Sequence, residues 1–361
     1  MQGQVMTVLG PVSADDLGPT VAHEHLLVDL SCYWQRPEDP ERAALAEAPF
    51  EMSMIGIVKR DPFFSLDNNV LDDTALAIEE ANEFKNLGGG TIVDVTPPDI
   101  GRDPLALRTI ARSTGLNIVA GTAHYVHLAH PPGLEDQPTD EIAQRMITEL
   151  TEGIDGTGIR AGVIGEIGTS HPLHPREERV LRAAGRAQQA TGYPISVHVA
   201  PSARRGHDVL DILENEGTDL GRVVMGHLDL TLGHLDAEFD EIVGYHSSLA
   251  DRGCYIQYDT CGVELYVPSS GLGPPFWLPS DLTRLRAIAR LVEAGHVDRL
   301  LLSQDVCTKK DLVRYGGFGY GHILRNFVHN LEEIGISRTV IDQLLIGNPR
   351  RMLAQQHHQP G

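Results

Sequence analysis

Residues 21–29 read Val21-Ala22-His23-Glu24-His25-Leu26-Leu27-Val28-Asp29, an apolar run interrupted by two histidines. Side chains two positions apart on a β-strand point to the same side, so His23 and His25 would direct two imidazoles at one point. Converging imidazoles commonly bind a metal ion, although two solvated histidines at a polar strand end would give the same pattern. The metal interpretation therefore requires that later strands also end in histidine or carboxylate side chains.

Outside this segment, strand-like and helix-like patterns alternate along the chain. Seven further apolar runs predict strands at 91–95, 117–122, 161–167, 194–199, 222–228, 254–260 and 299–305. Helical periodicity predicts helices at 71–87, 104–113, 140–151, 176–191, 207–216, 238–251 and 281–294, and later at 322–333 and 338–345. Strands that alternate with helices indicate an α/β protein with a parallel sheet.

Eight such units in 361 residues predict a (β/α)8 TIM barrel, and we expect a single domain over 1–361. A doubly wound sheet is the alternative, but its glycine-rich phosphate loop (G-x-G-x-x-G) does not follow any early strand. Three additions to the barrel are expected. They are a short N-terminal hairpin over 4–19 that turns at Gly10-Pro11, a long irregular insertion after the first strand over 31–69, and a loop over 268–279 above the barrel mouth.

The composition of the chain indicates which kinds of binding partner to expect. The formal net charge of −21 disfavours binding to nucleic acid or to an anionic membrane surface. The sequence shows no secretory leader and no apolar run long enough for a membrane helix. The four cysteines are scattered, which is typical of buried thiols in a reducing compartment. We therefore expect a cytoplasmic protein that acts on a small molecule, with a homodimer as one candidate assembly.

Polar residues lie at the carboxyl ends of several predicted strands, where the chemistry of barrels takes place. A lone histidine there is often a core residue, and a lone aspartate is often a helix cap. Here six residues on five strands share one register, which predicts a common metal site: His23, His25, Glu166, His198, His227 and Asp305. One zinc ion takes only three or four protein ligands, so two ions that share a carboxylate fit the set better.

These motifs resemble the amidohydrolase superfamily, and within it the phosphotriesterase-related proteins. The resemblance covers nearly the whole chain and includes Thr7-Val8-Leu9-Gly10, His23-Glu24-His25, Ile164-Gly165-Glu166-Ile167-Gly168, Gly226-His227-Leu228-Asp229, Tyr315-Gly316-Gly317-Phe318-Gly319-Tyr320 and Gly347-Asn348-Pro349. It implies His23, His25 and Asp305 on one metal ion, His198 and His227 on the other, and Glu166 as the bridge.

The bridging position distinguishes two branches of this family. Bacterial phosphotriesterases and related lactonases bridge with a carbamylated lysine, whereas this chain has no lysine between Asn86 and Thr308. Glu166 places the sequence beside the vertebrate-type branch, for which N-acetyltaurine hydrolysis is known. The resemblance thus implies an amide hydrolase rather than a paraoxonase.

The functional hypothesis is a binuclear metal-dependent hydrolase that cleaves the acyl C–N bond of a small anionic amide through a hydroxide held between the ions. Asp305 would take a proton from this nucleophile and pass it to the leaving group. The ions are expected to be zinc, with Mn, Co or Fe as alternatives. A phosphotriesterase or lactonase on the same site is a second hypothesis, and a non-catalytic metal-loaded barrel that only binds a ligand is a third.

Substrate contacts are predicted from residues that follow or end the strands. Arg204, Arg205 and Arg314 could hold an anion, since guanidinium groups pair with carboxylate, sulfonate or phosphate oxygens, but solvated loops would look the same. Tyr125 and Tyr258 could reach the barrel mouth, or pack in its wall. The nearby histidines 124, 127 and 130 lie in a proline-rich segment and are expected at the surface.

Overall fold

The computed structural model describes residues 3–268 and 275–355. Its strands are β1 (Gln4–Thr7), β2 (Gly10–Ser13), β3 (Thr20–Glu24), β4 (Val28–Asp29), β5 (Val70–Leu71), β6 (Thr91–Asp94), β7 (Asn117–Thr122), β8 (Val163–Gly168), β9 (Ile195–His198), β10 (Val223–Gly226), β11 (Tyr255–Tyr258), β12 (Tyr266–Val267), β13 (Phe276–Trp277) and β14 (Leu300–Leu302).

The α-helices are α1 (Pro40–Ala46), α2 (Ile55–Val58), α3 (Thr74–Asn86), α4 (Pro104–Thr114), α5 (Thr139–Thr151), α6 (Pro175–Thr191), α7 (Gly206–Asn215), α8 (Phe239–Asp251), α9 (Asp281–Glu293), α10 (Val328–Glu333), α11 (Arg338–Asp342) and α12 (Asn348–Leu353). Two π-helical turns, Ile323–Phe327 and Gln343–Gly347, lead into α10 and α12. No helix in the two described stretches combines the length and the apolar character needed to cross a membrane.

Eight strands form one sheet in the order β3-β6-β7-β8-β9-β10-β11-β14, and every neighbouring pair is parallel. The order follows the chain, so each strand pairs with the next one after a helical crossover. This sheet curls into a nearly closed barrel with the helices outside it. The predicted (β/α)8 fold is confirmed.

Alternate residues along the barrel strands face opposite sides of the sheet and so form two separate apolar clusters. Ile92, Ile118 and Ile164 pack outward in the large core between the strands and the helices, whereas Val93 and Val119 belong to a second cluster inside the barrel. That inner cluster also contains residues from the two chain ends, namely Val5, Met352 and Leu353. The hairpin β1–β2 and helix α12 therefore cover one end of the barrel, which leaves the opposite end for the polar site.

Local sequence signals fix where the helices start and stop. The predicted helix at 71–87 begins instead at Thr74, because the Asp73 carboxylate accepts from the backbone N–H groups of Ala75 and Leu76. Helices α4 and α6 end at Gly115 and Gly192, which adopt left-handed conformations with φ of 68° and 72°.

Two predicted additions differ from expectation. The N-terminal hairpin turns at residues 8–9 rather than at Gly10-Pro11, since the Thr7 hydroxyl donates to the Gly10 carbonyl oxygen (2.7 Å) and accepts from the Leu9 N–H. The insertion over 31–69 is not irregular throughout. It contains α1 and α2, and it buries a small core of its own that consists of Ala46, Phe50, Met54, Val58 and Phe64. Residues 269–274 of the loop predicted over 268–279 lie outside the described residues.

The first and last strands of the sheet meet through side chains. Within the described chain no strand pairing joins β3 to β14. Instead, the Ser303 hydroxyl accepts from the His23 N–H (2.9 Å) and donates to Glu24 Oε1 (2.7 Å). The Glu24 carboxylate also accepts from the backbone N–H groups of Gln304 (2.8 Å) and Val306 (2.9 Å). A buried glutamate thus replaces the backbone ladder at this join.

Candidate metal centre

The structure brings the six predicted ligands together at the carboxyl ends of their strands. His23 lies in β3, Glu166 in β8 and His198 at the end of β9, while His25, His227 and Asp305 lie just beyond the ends of β3, β10 and β14. All six are buried except Asp305, whose side chain is 16% exposed. The remaining strands of the barrel do not contribute to this set.

Two of these residues have left-handed backbones. His227 has a φ of 58° and Asp305 a φ of 50°. Such conformations are uncommon for residues other than glycine and are enriched at functional turns. In both cases the chain bends sharply at the strand end, and this bend directs the side chain back towards the barrel axis.

Glu166 is the centre of the cluster. Its Oε1 lies 3.2 Å from His25 Nε2, and its Oε2 lies 3.3 Å from His198 Nδ1. The same Oε2 is 3.4 Å from His23 Nε2 and 3.6 Å from His227 Nε2. Asp305 Oδ1 closes the group at 3.4 Å from His25 Nε2. Every inward-facing nitrogen therefore lies near a carboxylate oxygen.

The donor atoms form three overlapping ligand groups, each with its ligand atoms within 4.8 Å of one another. His23, His25 and Glu166 form the first group, Glu166, His198 and His227 form the second, and His23, His227 and Asp305 form the third. The first two groups share the Glu166 carboxylate. Both ring nitrogens of His23 and the Glu166 Oε2 are buried without a hydrogen-bond partner. Buried polar atoms normally have partners, so these orphaned atoms fit a role as metal ligands. Nitrogen and oxygen donors suit Zn, Mn, Co or Fe.

Electrostatics in the cluster favour a cation. Burial opposes the ionisation of Glu166, but the neighbouring histidines, with His23 foremost, hold the pKa of its carboxyl well below the usual range. Burial likewise lowers the pKa of His25, yet hydrogen bonds to Asp305 and Glu166 outweigh it and raise this pKa to about 10. The site stabilises positive charge, which is what a divalent ion supplies.

A second layer of residues orients the ligands. The Thr96 hydroxyl donates to the Leu27 carbonyl oxygen and accepts from His25 Nδ1 (2.8 Å), which leaves Nε2 free to bind a metal ion. Asp259 Oδ1 lies 2.9 Å from His227 Nδ1, and its Oδ2 lies 3.4 Å from His23 Nδ1. One fully buried carboxylate thus contacts a histidine in each ligand group.

We expect Asp259→Asn to lower metal affinity by about 10- to 100-fold, the usual loss when a group that orients a ligand is removed. The reason is that an amide cannot accept from both histidines and from the His227 N–H at once. Competition with a chelator measures the change. Asp236→Asn is the matched control, because Asp236 pairs with Arg204 on the surface. Unchanged affinity in the Asp259 variant would contradict the orienting role.

Above the ligands lies a cavity of about 130 Å³. Its floor consists of metal-site residues, and its walls are largely apolar, with Leu30, Tyr33, Phe63, Tyr125, Leu230, Val263, Leu265, Val267, Phe276 and Leu278 among them. Active sites are commonly apolar pockets with a few placed polar groups, and this volume suits a small substrate.

Of the predicted substrate contacts, the structure brings only Tyr125 to this cavity. Its hydroxyl lies 3.3 Å from His198 Nδ1. Arg204 instead pairs with Asp236 (3.0 Å) and Arg205 pairs with Asp208. Arg314 is exposed, and none of the three arginines lines the cavity. The structure therefore does not bring the three predicted arginines to the cavity above the ligands.

The structure does not bring Tyr258 to the cavity either. Its ring is fully buried outside the barrel, where the hydroxyl lies 2.7 Å from His246 Nδ1 on α8. His246 Nε2 lies 2.9 Å from the Thr231 hydroxyl. Tyr258 occupies an outward-facing position of β11, which is why it packs against a helix rather than at the mouth.

This buried histidine predicts acid sensitivity. Burial lowers the pKa of His246 to about 3, well below its ordinary value, so the folded protein needs the neutral ring. The stabilisation is complete above the unfolded pKa of about 6.5 and is lost progressively as the pH falls towards 3. When the pH falls from 7.5 to 5, we expect the free energy of unfolding of wild type to drop by about 2 kcal/mol more than that of His246→Gln. Urea unfolding at both pH values measures it.

The control for this experiment is His329→Gln, since the side chain of His329 is exposed at the surface. The interpretation fails if wild type and His246→Gln lose the same free energy of unfolding on acidification.

The three loop histidines were expected at the surface, and the structure corrects this. His124 and His130 are buried and His127 is half-buried. The loop folds back over the barrel, where His130 Nε2 lies 2.7 Å from the Tyr125 carbonyl oxygen. These residues hold the Tyr125 segment in place, which the proline content of the loop did not reveal.

Sequence reasoning missed three residues in or beside the site. Asp259 lies at the carboxyl end of the predicted seventh strand, so the rule that found the other ligands would have found it too. Glu24 stands between the two metal-site histidines and was given no role. Lys310 lines the cavity and is one of only four lysines in the chain.

A (β/α)8 barrel with four histidines and two carboxylates at the carboxyl ends of its strands defines the class of metal-dependent hydrolases. The sequence profile of the phosphotriesterase family matches residues 3–353. The chain belongs to the phosphotriesterase family, a family of metal-dependent enzymes, and is itself a hydrolase.

Individual relatives agree with this assignment. The N-acetyltaurine hydrolase of Salmo salar is 36% identical over 354 residues, with 98% of each chain covered. The structure of a resiniferatoxin-binding protein from Rhodobacter sphaeroides is 40% identical, covers 98% of this chain and 95% of its own, and superposes with a TM-score of 0.91. A phosphotriesterase homology protein from Escherichia coli, complexed with phosphate in its active site, is 31% identical with a TM-score of 0.74 and coverages of 94% and 99%.

Proposed function

We propose that this enzyme hydrolyses the acyl C–N bond of a small anionic amide, N-acetyltaurine or a close analogue. The observation that carries the proposal is the pair of ligand groups that share Glu166 at the floor of a small apolar cavity. The full-length similarity to an N-acetyltaurine hydrolase supports the choice of substrate.

The proposal assigns two divalent ions, with zinc first and Mn, Co or Fe as alternatives. His23, His25 and Asp305 would hold one ion, and His198 and His227 would hold the other. Glu166 would contribute to both sites. Bound there, the ions would polarise the substrate carbonyl and make a water molecule more acidic. The Glu166 carboxylate would offer two oxygens to the ions without carbon dioxide, which a carbamylated lysine would need.

The chain's own groups would then carry the proton. Asp305 is the most exposed of the six residues and faces the cavity, so it can accept the proton of the attacking water. As the C–N bond breaks, Asp305 returns that proton to the leaving amine nitrogen. Tyr125, whose hydroxyl reaches the cavity beside His198, would position the substrate. The apolar walls exclude bulk water from the reacting groups.

The test is a hydrolysis screen of protein reconstituted with defined metals. N-acetyltaurine and N-acetyl amino acids represent the proposal, and γ-lactones and paraoxon represent the phosphotriesterase or lactonase alternative. We expect kcat/KM for N-acetyltaurine to exceed that for the lactones and paraoxon by roughly 100-fold, because the correct substrate uses contacts that the others lack. A lactone or phosphotriester as the best substrate would overturn the proposal. Binding of all amides without turnover would favour a barrel that only binds a ligand.

We also propose a cytoplasmic location, and a homodimer is one candidate assembly. The support for the first is that all four cysteines are free thiols, which persist in a reducing compartment. Light scattering on the purified protein would decide the assembly.

A further inference from the structure

The described wall of the cavity above the metal site contains one lysine and no arginine. Among the described residues that line it, Lys310 alone is a lysine or an arginine. Lysine is seldom buried, yet Lys310 is only 9% exposed. Lys310 lies on the loop after β14, five residues beyond Asp305, and both residues line this cavity.

Two hydrogen bonds, one from the backbone and one from the side chain, hold Lys310 in position. Its backbone N–H donates to Asn68 Oδ1 (2.9 Å), and its ammonium donates to Asp311 Oδ1 (2.6 Å). Asp311 Oδ2 accepts from the Thr308 hydroxyl. The neighbouring Lys309 points elsewhere and donates to Asp67 (2.7 Å). The insertion over 31–69 and the loop after β14 therefore hold this one lysine at the cavity wall.

The ammonium retains hydrogen-bonding capacity. A lysine carries three N–H donors, and Asp311 is the single described acceptor for them. Much of the remaining cavity wall consists of aliphatic and aromatic side chains, in which an anion would lose its hydration without compensation. A sulfonate or carboxylate that enters this cavity would find its charge-assisted hydrogen bond at Lys310.

We propose that Lys310 selects the substrate by binding its anionic group, a sulfonate or carboxylate remote from the scissile amide, with Asp311 as the residue that orients the ammonium. This assignment rests on the proposed amide hydrolysis and replaces the arginines that the sequence suggested. A purely structural pair of Lys310 and Asp311 is the competing explanation.

The test compares two substrates that differ in charge alone. They are N-acetyltaurine and its neutral sulfone isostere, N-[2-(methylsulfonyl)ethyl]acetamide. In Lys310→Met we expect kcat/KM for N-acetyltaurine to fall by about 10- to 100-fold, mainly through KM, because a hydrogen bond to a charged group is lost. The sulfone should change by less than about threefold. Lys310→Arg should recover part of the loss.

Two controls separate anion binding from structure. Lys309→Met removes the neighbouring charge outside the cavity and should leave both substrates unchanged. Asp311→Asn removes the partner while it keeps the ammonium, so N-acetyltaurine should still be preferred over the sulfone. If Asp311→Asn and Lys310→Met lose the same activity towards both substrates, the pair is structural and the proposal is overturned. Metal content and thermal unfolding confirm that each variant is folded.

A binding measurement decides the question without turnover. Calorimetry with propane-1-sulfonate should show weaker binding to Lys310→Met than to wild type, and equal binding would overturn the proposal. If wild type hydrolyses neither amide, the proposed function fails, and the sulfonate titration still tests Lys310 on its own.

Discussion

Glu166→Ala is expected to lose at least one metal ion per chain and about 1,000-fold or more in kcat/KM, since charge stabilisation of this kind carries much of the catalysis. The Glu166 oxygens lie within 3.6 Å of four histidine nitrogens, more than any other residue of the cluster approaches. Without this carboxylate two cations would face each other with no shared anion. Elemental analysis and steady-state kinetics on the same preparation measure both losses.

Glu166 as the bridging residue can be tested further, because recovery of activity should then not require carbon dioxide. Wild-type protein stripped of metal should recover activity on addition of metal alone, in buffer depleted of bicarbonate. Glu178→Ala is the matched control, because that glutamate pairs with Arg182 on the surface of α6. A requirement for bicarbonate, or full metal content in Glu166→Ala, would show that the bridge is another group.

Asp305→Asn is expected to lower kcat by about 100- to 10,000-fold, the usual contribution of a positioned general base, with a smaller effect on KM. An amide can still offer an oxygen to a metal ion, but it cannot accept the proton of water. Metal content near that of wild type would separate the proton-transfer role from ligation.

Asp298→Asn serves as the control, because Asp298 precedes β14 at the opposite end of the strand and contacts Gln343 and Arg351. If Asp305→Asn keeps both metal ions and stays within about tenfold of the wild-type kcat, Asp305 is not the proton acceptor.

Periodic features of this protein were predictable from its sequence. The repeat of strand and helix predicted the barrel, and the recurrence of His198 and His227 at the same point of successive units predicted that they converge. These predictions depend on backbone periodicity, which the side-chain period of a strand fixes locally. Asp259 satisfies the same rule and could have been included.

Loop geometry was not predictable in this way. Arg204 and Arg205 follow a ligand strand closely, yet Arg204 pairs with Asp236 of another loop and Arg205 pairs with Asp208 in the first turn of α7. Lys310 acquires its position from Asn68, which is 242 residues away in the chain. Tyr258 was misplaced because a strand-end residue faces inward or outward according to a register that a single sequence leaves open. The contacts of Arg204 and Lys310 join segments that are distant in the sequence.

The side-chain contacts that join β3 to β14 link metal binding to the stability of the barrel. His25 and Asp305 lie on opposite sides of that join, with Nε2 and Oδ1 3.4 Å apart. His23 and Ser303, which meet across the same join, are 280 residues apart along the chain. An ion held by residues of both strands would therefore be a removable cross-link that closes a loop of most of the protein, as a disulfide does in small secreted domains. Chelation should free the first and last strands before any others, so that catalytic competence and resistance to unfolding are lost together.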